Sequence, residues 1–382
     1  MLGSAMVAAS ASLLPALLGS RVVHAQAQPG VSDTEIMLGQ SVALTGPAAE
    51  LGIEMRNGAA AYFTELNAAG GVNGRKITLT TLDDGYEPDR AVANTKKLID
   101  ELKVFALFGY VGTPTANAAN PIFTAAKVPF FGAFTGAESL RNPVNRYIFN
   151  VRASYFDETE KIVEHLTSLG MKNVAVFYQN DAYGKTGLDG VERALARRNL
   201  KMTASATVER NSVAVTEAVK FLAPKEPDVI VMISAYTSIA AFVREAKKAR
   251  YHGQFYNVSF VGSVALSKAL GNEGHGVGIS QVVPFPYSAS IPLVRDYQAA
   301  MKKHQRGELS FSSIEGYLAA RVLADGLKKA GKTLTREGLV DALETMNNVD
   351  IGGFNVNFSK TSHSGSKFVE LTIIGREGKF LR

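Results

Sequence analysis

The sequence predicts an α/β protein built as two doubly wound, Rossmann-like lobes. Three observations lead there. From residue 36 short β-rich runs alternate with amphipathic helical stretches, a second series of the same kind begins near residue 155, and a mostly helical region returns over 290–345. Strand, helix and strand at this rhythm means βαβ units and a parallel sheet flanked by helices. A chain of 382 residues is also too long for one ordinary core, so two lobes crossed by the chain more than once are expected.

The first series reads as strands at "IMLGQSV" (36–42), "KITLTTL" (76–82), "VFALFG" (104–109) and "VPFF" (128–131). Between them Ile53, Ala60, Phe63 and Leu66 recur at helical spacing, as do Ala91, Thr95, Leu98 and Leu102. Pro88 falls in a first helical turn, where its missing N–H is harmless. In the second series a helix over 156–169 stops at Gly170, a good C-terminal residue. Strands follow at 172–178, 201–208, 228–234 and 254–260, with helices from about 183, around 213–222 and over 237–250. Helices "VRDYQAAMKKH", "SIEGYLAARVLADGLKKA" and "REGLVDALETM" come next, and the tail (354–381) reads as short strands with a turn at "SHSGS".

Composition narrows the class. Hydrophobic residues make up 46% and charged residues 20%, the balance of a globular protein. The net charge of +6 is scattered rather than clustered, which argues against nucleic acid as partner. With no cysteine, disulfides, thiolate catalysis and thiolate metal sites are excluded. The N-terminal run "AMVAASASLLPALLGSRVVHAQAQ" is short, interrupted by Pro15 and followed by small-x-small patterns at Val23-His24-Ala25 and Ala25-Gln26-Ala27. Residues 1–25 are therefore expected to be a signal peptide, although the usual basic start is missing. No later segment has 18 uninterrupted apolar residues, so a mature protein soluble outside the cytoplasm is expected.

In open α/β sheets, ligands bind outside the carboxyl ends of the strands. The loops to inspect are 43–52, 83–87, 110–115, 132–137, 179–184, 235–237 and 259–263. None carries a Walker loop, an H-E-x-x-H or a G-x-S-x-G, and the six histidines are isolated, so neither an enzyme nor a metal site is nominated. Asp83-Asp84 could ligate Mg²⁺ only if adjacent strand side chains pointed the same way, which they do not; a capping or internal hydrogen-bonding role is expected.

What the loops offer is recognition. "GYVGTPTA" (109–116) brings Thr113 and Thr115 to a helix start, where hydroxyls and free N–H groups suit a carboxylate, although either threonine could equally serve only its helix. "GAFTGAESL" (132–140) repeats the design with Phe134, Thr135 and Gly136. Tyr183 and Tyr236 stand at equivalent loop ends and read as walls of one pocket. "SVALTGPAAELG" (41–52) has no phosphate-loop spacing and reads as one lip of a cleft, with the backbone from Ala43 to Gly46 near a ligand.

At these residues the chain resembles the leucine/isoleucine/valine-binding protein family, periplasmic receptors of ABC importers with the type I fold. The stretches "AAAYFTELNAAGGVNGRKITL" (59–79), "DDGYEPDRAVANTKKLI" (83–99), "VPFFGAFTGAESL" (128–140) and "DAYGKTGLDGVERAL" (181–195), together with "LTGPAAELG", carry the likeness in order and spacing. It covers about residue 34 to the end. The resemblance implies a Venus flytrap with three hinge crossovers, near 150–153, 281–284 and 351–354. Residues 31–150 with 284–351 would then form one lobe, and 151–283 with 352–382 the other. It implies a monomer in the periplasm that takes a small-molecule carboxylate and docks on membrane permease subunits, with no cofactor, metal or nucleic acid.

Site roles carry over unevenly. Thr113 falls where the family holds the ligand carboxylate, and Phe134, Thr135 and Gly136 fall on the neighbouring loop. Tyr183 and Tyr236 match second-lobe tyrosines. The family's acid for the ligand ammonium is replaced by Ser259, and a tyrosine that helps enclose it is replaced by Leu51. An unpartnered buried ammonium is heavily penalised. Glu50, Asp84 and Asp181 are the acids available as substitutes. Branched-chain or related amino acids are the family default. The sharper expectation is an aromatic or short-chain organic acid that needs no ammonium. A receptor module feeding a membrane signalling protein, and an α/β enzyme, are the readings from other classes.

Overall fold

A computed structural model describes residues 28–382 and, before them, only Met1, Gly3 and Met6; the expected signal peptide over 1–25 otherwise lies outside the described residues. The first lobe opens with β1 (Glu35–Val42), α1 (Ala49–Ala68), β2 (Lys76–Asp83), α2 (Pro88–Lys96), β3 (Ala106–Phe108), α3 (Thr113–Ala125), β4 (Phe130–Phe131) and β5 (Ile148–Phe149). The five strands run parallel in the order β2-β1-β3-β4-β5. The periodicity that placed Leu98 and Leu102 on one helix holds in part: α2 passes at Lys97 into a wider helical turn, Lys97–Glu101.

The second lobe continues through α4 (Tyr155–Ser168), β6 (Val174–Gln179), α5 (Ala182–Ala196), β7 (Ala204–Val208), α6 (Thr216–Leu222), β8 (Val229–Ile233), α7 (Tyr236–Lys248), β9 (Gln254–Asn257), α8 (Ser263–Leu270) and β10 (Gly278–Gln281). Three further helices follow, α9 (Pro292–Lys303), α10 (Phe311–Ala330) and α11 (Arg336–Glu344). A small hairpin of β11 (Val349–Asp350) and β12 (Asn355–Val356) precedes β13 (Glu370–Ile374) and β14 (Phe380–Leu381). The second sheet has the order β14-β13-β10-β9-β8-β6-β7, with β13 and β14 antiparallel. Its parallel part, read from β7, repeats the strand order of the first sheet. Each sheet therefore has one switch point, between β1 and β3 and between β6 and β8, where the following loops splay apart.

α10 explains why the late helices rejoin the first lobe. It is buried along nearly its whole length and crosses α1, with which two glycines set the distance. A Cβ on Gly58 would stand 1.7 Å from the Ser313 carbonyl oxygen, and one on Gly316 would stand 2.1 Å from that of Met55. Backbone meets backbone here, and no side chain fits between. The tail also returns to the first sheet. Asn150 N–H donates to His363 O at 2.9 Å and Gly365 N–H to Asn150 O at 2.7 Å. The His363 ring stacks on Phe149 at 3.9 Å, and its Nδ1 lies 2.9 Å from Ile148 O. The "SHSGS" segment is thus pinned beside β5 rather than being a free turn.

α4 begins where the chain first crosses between sheets. Ser154 Oγ accepts from Asp157 N–H at 3.1 Å while Asp157 Oδ2 accepts from Ser154 N–H at 3.0 Å, a reciprocal cap that fixes the turn out of the crossing. Among the described residues no helix is long and apolar enough to cross a membrane.

Replacing Gly58 or Gly316 by alanine should lower unfolding free energy by roughly 1–3 kcal/mol, the range for forcing atoms into a packed contact. Urea unfolding followed by circular dichroism reads it, and a loss below about 0.5 kcal/mol would place the close approach elsewhere.

Candidate functional site

The opening loop is occupied from within. Asp83, at the end of β2, accepts N–H bonds on Oδ1 from Leu44 at 2.8 Å, Thr45 at 3.3 Å and Gly85 at 3.0 Å. Its Oδ2 accepts from the Thr45 hydroxyl at 2.6 Å and from Arg90 at 2.7 Å. Burial opposes the charge, but the Thr45, Leu44, Gly85 and Arg90 donors outweigh it and hold the carboxyl well below its usual range. Of the backbone that sequence reading offered to a ligand, two N–H groups therefore bind the chain's own carboxylate.

Asp84 points the other way, as alternation along a strand requires. It accepts from the Ser41 hydroxyl at 2.7 Å and from Tyr86 N–H at 2.8 Å. That second bond holds Tyr86 at φ 64°, and its ring lies against Gly112. Any Cβ at Gly112 would fall 2.2 Å from the ring, so this loop needs glycine. The Tyr86 hydroxyl accepts from Gln179 Nε2, in the second lobe, at 3.2 Å.

α3 starts at Thr113 as expected. Thr113 Oγ1 lies 2.6 Å from Thr135 Oγ1, and Thr135 donates to the Tyr155 hydroxyl at 3.3 Å, making a short hydroxyl chain. Thr115 is different. Its hydroxyl donates back to Val111 O at 2.6 Å and Gly112 O at 3.0 Å, so it serves its own helix. Gly136 receives Tyr155 N–H on its carbonyl at 2.8 Å, and a Cβ there would collide with Tyr155 at 2.6 Å.

Aromatic rings from both lobes close over this chain. The Phe260 ring centroid lies 4.6 Å from that of Tyr183, 5.5 Å from Phe134 and 5.8 Å from Tyr86, and Tyr155 lies 5.2 Å from Tyr183. All five are buried. α5 is capped by Asp181, whose Oδ1 accepts Tyr183 N–H at 3.0 Å. The Tyr183 hydroxyl is buried and has no hydrogen-bond partner among the described residues. Burial first, then the neighbouring Tyr155 and Tyr86, push its pKa well above the ordinary value, so it stays a donor.

Ser259 sits in a charged knot. Its N–H donates to Glu158 Oε2 at 2.7 Å and its hydroxyl to Glu158 Oε1 at 3.0 Å. The same Glu158 pairs with Arg152 at 2.8 Å, and Arg152 also reaches Glu315 of α10 at 3.3 Å. An acid does stand beside the position where the family places one, but it arrives from α4 and is already neutralised. Leu51 and Tyr236 meet at Gly262, two residues beyond Phe260: a Cβ there would lie 2.4 Å from Leu51 Cδ2 and 3.7 Å from Tyr236 Cδ1. Outside both groups, Glu87 receives Arg210 at 2.9 Å and Asn211 Nδ2 at 2.7 Å, bridging the lobes again.

The fold thus brings Thr113, Phe134, Thr135, Gly136, Tyr183 and Ser259 together and sets Leu51 and Tyr236 against Gly262 beside them. Sequence reading did not single out Tyr86, Arg152, Tyr155, Glu158, Phe260 or Glu315. Tyr155 stood directly behind a readable capping box and Phe260 directly after Ser259, whereas Glu315 had no local signal. Among the described residues no group of three His, Asp or Glu side chains is arranged to hold a metal.

Comparison with known proteins bears on the fold that carries these residues. The family model for periplasmic binding protein matches residues 35–373. The Leu/Ile/Val-binding protein homolog 7 of Brucella abortus (strain 2308) is 26% identical over 328 residues, covering 82% of each chain. The solved structure of a possible leucine/isoleucine/valine-binding protein from Rhodopirellula baltica SH 1 superposes with a TM-score of 0.88 at 36% identity, over 94% of this chain and 98% of that one. A fatty acid ABC transporter substrate-binding protein from Thermomonospora curvata, at 24% identity, shares the fold with a TM-score of 0.84 over 93% of both chains.

Asp84 should leave a mark on stability. Burial, with Asp83 adding to it and the Ser41 and Tyr86 bonds only partly offsetting it, raises its pKa from 3.8 to about 6. The folded protein then keeps a proton that the unfolded chain releases near 3.8, so stability from this group falls as pH rises through that window and levels off above it. The loss is on the order of 3 kcal/mol. The Asp84→Asn variant, which cannot ionise, should gain on the wild type by up to that amount as pH rises from about 4 to 6, read from melting curves at each pH; a difference constant with pH would show that Asp84 ionises normally.

Proposed function

The chain belongs to the periplasmic binding protein family, and from that premise we propose that it is the periplasmic receptor of an ABC importer for a small carboxylate-bearing solute. The family binds solutes rather than converting them. In this reading the solute enters between the lobes, touches both, and the closed form docks on membrane permease subunits. Closure is a population shift, driven by contacts the solute makes only when both lobes reach it. In this reading the crossings near 150–153 and 281–284 act as hinges, and because residues 357–365 pack with the first sheet the third hinge lies after residue 365 rather than near 351–354.

The observation that carries this reading is the buried, unpartnered hydroxyl of Tyr183 within a cross-lobe aromatic cluster. A buried polar group is normally satisfied, and one that is not calls for an explanation such as a bound water or a functional role; here the hydroxyl lies beside other donors at the meeting of the lobes. The hydroxyl chain from Thr113 through Thr135 to Tyr155 supplies donors of the kind a carboxylate needs, and the rings of Phe134, Phe260 and Tyr86 supply an apolar enclosure. The solute class is drawn from those groups. The fold itself serves proteins named for branched-chain amino acids and for a fatty acid, so it does not choose between an amino acid and a simple acid.

A thermal-shift screen of amino acids and carboxylic acids should find compounds that raise the melting midpoint, because a ligand of the native state stabilises it. With no tryptophan in the chain, calorimetry is the natural second readout. For any acid so found, Thr113→Ala and Tyr183→Phe should each weaken binding by about 1–3 kcal/mol. A ligand indifferent to both changes would remove the cleft from consideration.

A further inference from the structure

Arg152 lies on the first crossing between the sheets and is 1% exposed, one of the largest fully buried side chains of the protein. Its guanidinium reaches Glu158 at 2.8 Å, Glu315 at 3.3 Å and the Ser259 hydroxyl, while Nε has no hydrogen-bond partner among the described residues. Its Cζ stands 5.2 Å from the Phe134 ring centroid and 5.8 Å from that of Tyr155, the rings that wall the cross-lobe cluster. A buried guanidinium with an unpaired N–H, set among the same aromatic walls as the unpaired Tyr183 hydroxyl, keeps a donor that an anion can use.

The acids around it point the same way. Glu158 Oε1 accepts from Arg152 and the Ser259 hydroxyl, and Oε2 from Ser259 N–H at 2.7 Å and the Ser280 hydroxyl at 2.5 Å. Asp84 is held by Ser41 and Tyr86 N–H, and Asp181 by Tyr183 N–H, Gln179 and Arg210. An ammonium needs carboxylate lone pairs, and these three acids have theirs engaged by protein donors. Glu315 is the exception, with one contact, its long bond to Arg152. Burial, with Glu158 adding to it, raises the Glu315 carboxyl to about 7 against the pull of Arg152 and Arg141. It is the partner able to take up a proton and leave the guanidinium to another anion.

We propose that Arg152 is a ligand-binding residue that receives the solute carboxylate, and that the site thereby selects acids without an α-ammonium group over the matching amino acids. The assignment rests on the carboxylate-receptor reading above. Arg152 supplies a charged, planar donor that a neutral amide cannot exploit equally, so the solute's charge, and not its hydrogen bonds alone, is what it reads.

The test uses matched sets on one carbon skeleton: isocaproate, leucine and isocaproamide, then hydrocinnamate, phenylalanine and hydrocinnamide, each titrated by calorimetry. In the wild-type protein the acid should bind about tenfold or more tighter than its amino acid and its amide. The double variant Arg152→Gln/Glu158→Gln removes one charge of each sign. It should weaken the acid by about thirtyfold or more and bring acid and amide to similar affinity, leaving the amide within about threefold of its original value. Acid and amide weakening together would mean that Arg152 only braces the fold. Should the double variant fail to fold by circular dichroism, Arg152→Lys, which keeps the charge and loses the planar fork, should weaken the acid severalfold while leaving it tighter than its amide; an unchanged acid affinity overturns the assignment. Leucine or phenylalanine matching its acid in the wild type, with Glu315→Gln abolishing that binding, overturns the Arg152 proposal and leaves the carboxylate reading standing. Binding by none of the six would instead reject the carboxylate reading itself.

Discussion

A guanidinium buried where two lobes meet has to be neutralised, and that requirement organises the centre of this molecule. Arg152 is held between Glu158 of the second lobe and Glu315 on a helix packed against the first. Burial works against its charge, but the two glutamates more than offset this and keep it ionised. Removing one partner from such a buried pair generally destabilises a protein by about 3–5 kcal/mol, because the remaining charge is left without compensation. The start of α4, the path of α10, the loop after β9 and Ser280 on β10 are thereby tied to one another.

The sheets make that meeting possible. Both use the same strand order in their parallel parts, so each presents splayed loops at one switch point, and the loops of one face those of the other. The loops then divide the work. The one after β1 is stiffened internally by Asp83, whose carboxylate uses donors that would otherwise be free for a ligand. The loop after β2 presents Tyr86, the loops after β3 and β4 present hydroxyls, and the loops after β6 and β9 present Tyr183 and Phe260. Rigid loops suit a receptor, since donors already in place lose little freedom on binding.

Much of this was legible in the chain itself. Apolar periodicity gave the strands and helices nearly in place, because parallel strands buried on both faces leave continuous apolar runs. The helix starts at Thr113, Tyr183 and Tyr236 could be read from their loops. Departures came where packing intervened: α2 widens after Lys96, Thr115 turns back onto its own helix, and the tail around His363 lies against Phe149.

The two α/β lobes, the loops after their strands and the hydroxyl and aromatic residues those loops carry follow from the order of residues alone, because strand alternation, helical spacing and capping are local and leave local marks. Which charges meet follows only from packing. Arg152 with Glu158, Ser259, and Glu315 come from three separate stretches of the chain, and nothing in their neighbours distinguishes these charges from the solvated ones that make up most of such residues. Burial is what separates them, and burial depends on how whole lobes pack. The same holds for Asp83, which in the sequence is one of two adjacent acids. In the fold it is the anion that the opening loop holds.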